Sequence, residues 1–107
     1  MGFFSKLFGG GGDSGLEKAL KEGAVIIDVR TKQEYMDGHI RGSFNIPLAR
    51  IPKEVKRLKA KKKPIVLCCR SGARAGSAQS VLKNAGIECY NGGGWVSLRK
   101  KVAAARK

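Results

Sequence analysis

The sequence predicts an α/β domain, a three-layer sandwich in which a mostly parallel sheet is flanked by helices. Three observations predict it. Ala24–Val29 and Pro64–Cys69 are continuous apolar runs, broken in the first only by Asp28, as in strands buried on both faces. Segments of helical period alternate with these runs. The chain has 107 residues, 42% of them hydrophobic, which is enough for one compact domain with a core and too few for two.

The elements follow in order. Gly9–Gly12 reads as a flexible linker that separates a short apolar N-terminal tail, residues 1–12, from the domain, residues 13–100. Asp13 or Ser14 can cap a helix over Leu16 to Glu22, which Gly23 stops. The Ala24–Val29 strand comes next. Thr31-x-x-Glu34 is a capping box that opens one helical turn, ended by Gly38. Ser43–Ile46 is expected as a short strand closed by Pro47. Ile51, Val55 and Leu58 give the helix from Ile51 to Ala60 one apolar face. The Pro64–Cys69 strand leads through a polar loop, Arg70–Arg74, into a helix over Ala73–Ala85. That helix turns Ala75, Ala78, Val81, Leu82 and Ala85 inward and ends at Gly86. Ile87–Tyr90 is a short strand, Asn91–Gly94 a tight turn, and Trp95 opens a last helix that passes into a basic tail, residues 101–107.

The formal net charge of +14 favours anionic partners. The three cysteines, Cys68, Cys69 and Cys89, are odd in number and two are adjacent. They do not form a disulfide framework, and a cytoplasmic location is expected. His39 is the only histidine, so no zinc-ligand spacing exists and no metal or cofactor is expected. No apolar run approaches the ~20 residues that span a bilayer. The N-terminus lacks the parts of a signal peptide, and Lys6 breaks the myristoylation pattern. Phe3, Phe4, Leu7 and Phe8 either pack on the domain or make a weak contact with an anionic membrane or a partner.

The chemistry is expected in the loop that begins at Cys69. A buried strand ends there and a helix starts just beyond, the place where open α/β sheets put their sites. Free N–H groups and the helix dipole favour negative charge at such a point. Gly72 permits a tight curve, and the curve of Arg70, Ser71, Gly72, Ala73 and Arg74 makes an anion nest. A thiol inside that nest is favoured as its thiolate, and Arg70 and Arg74 are expected to add to the effect or to hold an incoming oxyanion. The chemistry predicted is attack by the Cys69 thiolate on an anionic substrate, without a histidine base.

Over about residues 14–98 the chain resembles the rhodanese family. Three segments carry the resemblance: Ile27-Asp28-Val29-Arg30, continuing through Glu34-Tyr35 and Gly38-His39-Ile40-Arg41-Gly42-Ser43 to Asn45-Ile46-Pro47; then Cys69-Arg70-Ser71-Gly72-Ala73-Arg74; then Gly93-Gly94-Trp95. The resemblance implies a first strand ahead of Leu16, which the glycine-rich stretch there makes short or absent. It also implies a sulfurtransferase. Cys69 would take a sulfane sulfur from a small anionic donor such as thiosulfate and pass it, through a persulfide, to a thiol or a sulfur-carrier protein.

Two alternatives stand beside that expectation. Cys68 to Arg74 fits the C-x5-R loop of cysteine phosphatases and some arsenate reductases, whereas Cys69 to Arg74 is one residue shorter. Gly72 lies three residues after Cys69, and Ala75 follows Arg74 where phosphatases usually have Ser or Thr; both favour Cys69. A non-catalytic binding module is the other alternative. Cys68 and Cys89 read as buried hydrophobes. Asp28 needs hydrogen bonds from loop N–H groups or from Arg30, and the two are read as structural supports. His39 reads as structural and Trp95 as a core anchor. Basic runs at Lys53–Lys63 and Arg99–Lys107 are solvated faces or docking surfaces for an acidic carrier or anionic lipid. Nucleic acid is not expected, since no aromatic residues are interleaved with the basic ones.

Overall fold

The computed structural model of the chain describes residues 12–106. Among these residues five α-helices and four strands follow one another: α1 (Gly12–Lys21), β1 (Val25–Asp28), α2 (Lys32–Asp37), β2 (Phe44–Asn45), α3 (Ile51–Ala60), β3 (Ile65–Cys69), α4 (Ala73–Asn84), β4 (Cys89–Gly94) and α5 (Trp95–Ala105). A 3-10 turn, Leu48–Arg50, precedes α3. The strands form one sheet in the order β2-β1-β3-β4, and every pairing is parallel.

Strand alternation divides the core into two layers. Ile27, Val29, Ile65, Leu67 and Cys69 face α3 and α4, where they meet Ile51, Leu58, Ala75, Ala78 and Leu82. Ile26, Val66 and Cys68 face α1 and α5, where they meet Leu16, Leu20, Leu98 and Val102. This is the expected three-layer α/β sandwich, and both central strands are buried on both faces.

Parallel strands fix the polarity of the whole domain. Every strand ends at one edge of the sheet, so Asp28, Asn45, Cys69 and Gly94 gather there. Helices α1, α3, α4 and α5 run the opposite way and end at the other edge.

Four expectations change. Helix α1 begins at Gly12, so Asp13 and Ser14 lie inside it rather than ahead of it as caps. Strand β2 is two residues, Phe44–Asn45, shorter than Ser43–Ile46. Asn91–Gly94 is no free turn: it continues β4, with a bulge that sets Leu67 opposite Asn91 but Cys69 opposite Gly94. Residues 101–105 are no tail either, because α5 runs to Ala105 with Val102 buried, and the Arg106 side chain donates to the carbonyls of Leu20 (3.2 Å) and Ala24 (2.6 Å). The expectations for residues 1–11, the apolar tail and the missing first strand among them, lie outside the described residues.

Candidate active site

Cys69 is the last residue of β3, and its side chain points toward the loop it opens. The Gly72 N–H donates to its sulfur at 2.9 Å and the Ala75 N–H at 3.4 Å. Gly72 makes this possible by sitting at φ +103°, a left-handed conformation that favours glycine. Burial alone would raise the Cys69 pKa. The N–H groups of Ala75, Gly72, Ser71 and Arg74 outweigh it, and the thiol is held below its ordinary value. The residue is 1% exposed, enclosed by the main chain that bonds it. Cys68, one position earlier, sits in the opposite layer. Burial first, and then the Asp28 carboxylate, push its pKa up to about 12.

Strand β4 supports the loop from behind, through close backbone approach. A Cβ on Gly94 would lie 2.7 Å from the Arg70 carbonyl oxygen, and one on Gly72 would lie 3.3 Å from the Gly93 Cα. The Asn91 side chain then clamps the two together. Its Nδ2 donates to the Gly72 carbonyl at 2.9 Å while its Oδ1 accepts from the Gly93 N–H at 2.8 Å. Sequence reasoning missed Asn91, since an Asn before glycines reads as a turn.

Arg74 does something other than expected. Its guanidinium forms a two-point ion pair with Glu34, at 2.7 and 3.0 Å. Arg74 first, helped by the Thr31 N–H, holds the Glu34 carboxyl down at about 2. Glu34 also completes the Thr31 capping box of α2, so one carboxylate ties α2 to the sulfur-bearing loop. The capping box was legible in the sequence, but its second partner, 40 residues away, was not. The side chain of Arg70 is exposed, as are Ser71 and Ala73. The sequence places Arg70, Ser71, Gly72, Ala73 and Arg74 in one nest. The bonds that lower the thiol pKa come from the backbone of Ser71, Gly72, Arg74 and Ala75, not from the two guanidinium groups.

Asp28 and Arg30 flank the site as a buried pair, at 0% and 4% exposure. Arg30 Nε and Nη2 meet the carboxylate at 2.9 and 2.7 Å, and the Arg30 N–H adds a third bond at 3.0 Å. Both partners named from the sequence, a loop N–H and Arg30, are present. Arg30 Nη2 also donates to the Gly38 carbonyl at 2.6 Å. Asn45 Nδ2 donates to the carbonyls of Asp28 and Arg30, at 3.0 Å each, and so pins the turn after β1. Among the described residues no buried side-chain polar atom lacks a partner. None of their His, Cys, Asp and Glu side chains gather into a metal-binding group.

A model of the rhodanese-like domain matches residues 14–101. The chain belongs to the rhodanese-like domain family. It is 36% identical over 85 residues to uncharacterized protein YqhL of Bacillus subtilis, covering 78% of this chain and 67% of that one. It is 31% identical over 70 residues to thiosulfate sulfurtransferase PspE of Escherichia coli, covering 64% and 67%. Among solved structures, a rhodanese with anions from E. coli superposes with a TM-score of 0.63 at 28% identity, covering 68% of this chain and 88% of that one. Reduced Bacillus anthracis CoADR-RHD gives 0.67 at 30% identity, covering 84% and 16%.

The remaining marked residues of this rhodanese-like domain are supports. His39 Nδ1–H donates to the Tyr35 carbonyl at 2.8 Å, and its ring stacks on Tyr35 at 3.8 Å. Trp95 is half-buried, packed against the α1–α5 layer, with Arg30 and Arg99 over its ring at 4.7 and 5.2 Å. It therefore joins the buried Asp28–Arg30 pair to the first turn of α5. Cys89 is buried in the α3–α4 layer, as expected for a core position.

Proposed function

We propose that this domain is a sulfurtransferase in which Cys69 carries the moving sulfur. The observation that carries the reading is the pair of main-chain N–H groups, from Gly72 and Ala75, converging on the Cys69 sulfur. They favour the thiolate, which is the attacking form of the residue. In the first step the thiolate attacks the sulfane sulfur of a donor such as thiosulfate. A new S–S bond forms, the donor's S–S bond breaks, and sulfite leaves with its electron pair. In the second step an acceptor thiolate, or cyanide in a test reaction, attacks the outer sulfur, and Cys69 departs again as a thiolate. The same N–H groups that stabilise the resting thiolate stabilise it as a leaving group. With Cys69 at 1% exposure, its own sulfur is also shielded from water and oxidants.

Relatives support this choice of chemistry, a thiosulfate sulfurtransferase and a tRNA sulfurtransferase of Thermoplasma acidophilum among them; in the second, the match covers 15% of that protein's length. The longer loop starting at Cys68 is disfavoured by the sulfur's position in the α1–α5 layer and by its pKa of about 12. The acceptor is a small thiol or a carrier protein that presents its thiol at the Arg70–Arg74 loop.

Mass spectrometry after incubation with thiosulfate tests the reading. The expected result is a gain of about 32 Da on Cys69, removed by cyanide and absent in Cys69→Ser. A wild-type protein that stays unmodified, or a Cys69→Ser variant that still gains the sulfur, sinks it.

A further inference from the structure

We propose that Asn91 is a positioning residue for Cys69, holding Gly72 so that the Gly72 N–H stays aimed at the sulfur. Its consequence for sulfur transfer rests on the reading of Cys69 as the sulfur carrier. Its consequence for the thiol itself does not.

The Gly72 and Ala75 N–H groups both donate to the Cys69 sulfur, and they are held differently. The Ala75 N–H, at 3.4 Å, belongs to the first turn of α4 and is carried by the helix. The opening donors of a helix have no partner within it, so this one is free to serve the sulfur. The Gly72 N–H is closer, at 2.9 Å, and belongs to a residue ahead of the helix at φ +103°. Glycine has the widest choice of backbone conformation of any residue, so its N–H stays on target only when something outside the residue holds it. Burial raises the Cys69 pKa, and the N–H groups of Ala75 and Gly72 lead those that bring it back down. The freest residue of the loop thus carries one of the two leading donors.

The restraint acts on the Gly72 carbonyl. That oxygen accepts the first bond of α4, from the Gly76 N–H at 2.9 Å, and a second bond from Asn91 Nδ2, also at 2.9 Å. Two donors on one oxygen fix both its place and its direction. Asn91 is held in turn, because its Oδ1 accepts from the Gly93 N–H at 2.8 Å, a side-chain turn onto the residue two further on. The pair of bonds needs an amide. A carboxylate has no donor for Gly72, and a serine hydroxyl is too short to reach it.

Strand β4 offers no substitute. Leu67 lies opposite Asn91 and Cys69 opposite Gly94, so three steps along β4 match two along β3. The residues that absorb the difference have no room or no conformation for a side chain. A Cβ on Gly92 would lie 2.8 Å from Leu98 Cδ2 and 3.0 Å from the Leu67 oxygen, and Gly93 sits at φ +82°. Asn91 carries the last side chain of β4, and it is exposed, so filling the core does not account for it.

The charges around Cys69 are spoken for. Arg74 of α4 pairs with Glu34 of α2, Arg30 with Asp28 at the end of β1, and Arg50 ahead of α3 with Glu54. Cys68 on β3 and Cys89 on β4 are buried thiols, and Arg70 is exposed. Replacing Asn91 by Ala or Ser leaves every one of these groups in place. A change in the titration of Cys69 then reports the aim of the N–H groups.

The pH profile of Cys69 alkylation by iodoacetamide, followed by mass spectrometry on the full chain, tests this. In Asn91→Ala the midpoint should move up by about one pH unit, and turnover of thiosulfate with cyanide should fall roughly tenfold. Asn91→Ser keeps an acceptor for the Gly93 N–H, loses only the Gly72 bond, and should match Asn91→Ala. Gly86→Ala, which strains the chain just past α4, should keep the wild-type midpoint and so separates positioning from loss of stability. Wild-type midpoints in both Asn91 variants overturn the proposal. So does a shift in Asn91→Ala alone, which would assign the effect to the Gly93 turn, and so does an equal shift in Gly86→Ala. A midpoint that moves as expected in a protein that takes up no sulfur supports the positioning role while the enzyme reading fails.

Discussion

The two edges of the parallel sheet handle positive charge in opposite ways. At the carboxyl edge, Arg30 and Arg74 are each held by a carboxylate, Asp28 and Glu34, so neither guanidinium touches the sulfur. The Cys69 sulfur there accepts instead from the backbone N–H groups of Gly72 and Ala75, which the fold fixes in place. At the amino edge, Lys21, Lys61, Lys62, Lys63 and Lys83 point into solvent without ionic partners among the described residues. Reaction chemistry benefits from fixed dipoles that need no reorganisation, whereas a mobile fringe of charge suits a broad or variable surface. The comparison teaches that a net charge of +14 says little about what surrounds the Cys69 sulfur, because its pKa is lowered by neutral amides.

Glycines break the comparison most directly. At the carboxyl edge Gly94 is required for space, since its Cβ would meet the Arg70 carbonyl at 2.7 Å. At the amino edge Gly86 is required only for its φ of +80°, with nothing closer than Lys59 Nζ at 3.8 Å. Gly94→Ala should push the loop off the sulfur, cost about 1–3 kcal/mol of stability, and lower sulfur transfer about a hundredfold. Gly86→Ala should cost about 1 kcal/mol and leave the transfer rate per folded molecule unchanged. Denaturant unfolding and cyanide-acceptor kinetics on the two variants check both. Equal losses of transfer would erase the distinction between the edges.

The adjacent cysteines sharpen it next. At neutral pH an alkylating reagent should modify Cys69 well before Cys68, because only Cys69 has N–H groups aimed at its sulfur. Cys68 leaves a separate mark on stability. Its folded pKa of about 12 lies above the ordinary value of 9.0, so above pH about 9 unfolding releases a proton that the folded chain retains. Stability from this group is complete below pH 9 and should fall as pH rises toward 12. Cys68→Val should flatten that fall in urea titrations, whereas Cys69→Ser should not. A fall of the same steepness in Cys68→Val would assign it to other groups.

The smallest expected effect lies at the amino edge. Lys62 holds φ +53°, a conformation that favours glycine. Lys62→Gly should raise stability by about 0.5–1 kcal/mol, read as a rise in melting temperature, since it removes backbone strain without breaking an ion pair. A loss of stability on that substitution would mean that the Lys62 side chain makes a contact stronger than the strain it bears.

Much of the site could be read from the chain because its parts are local. Cys69, Gly72 and the start of α4 lie within a few residues of one another, and a strand that ends in a glycine-containing loop before a helix has few ways to fold. Asp28 with Arg30 was legible for the same reason, since a buried carboxylate two residues from an arginine needs that partner. Asn91 and the second role of Glu34 were not. Asn-Gly-Gly-Gly has the composition of a turn, and only pairing with β3 keeps it extended as β4. Glu34 meets Arg74 from 40 residues away, a separation that no local pattern encodes.

By itself, the amino-acid order determined where most of the helices and the two central strands lie, which cysteine ends a buried strand, and that the following loop would curve its amides inward. These follow from side-chain periodicity and from glycine, which act over a few bonds. Only the tertiary structure decided what stands behind that loop, which arginine is already occupied, and that the lysines collect at the edge farthest from the thiol. Those outcomes depend on parallel packing of distant strands, and that packing sets which ends of the helices share a face.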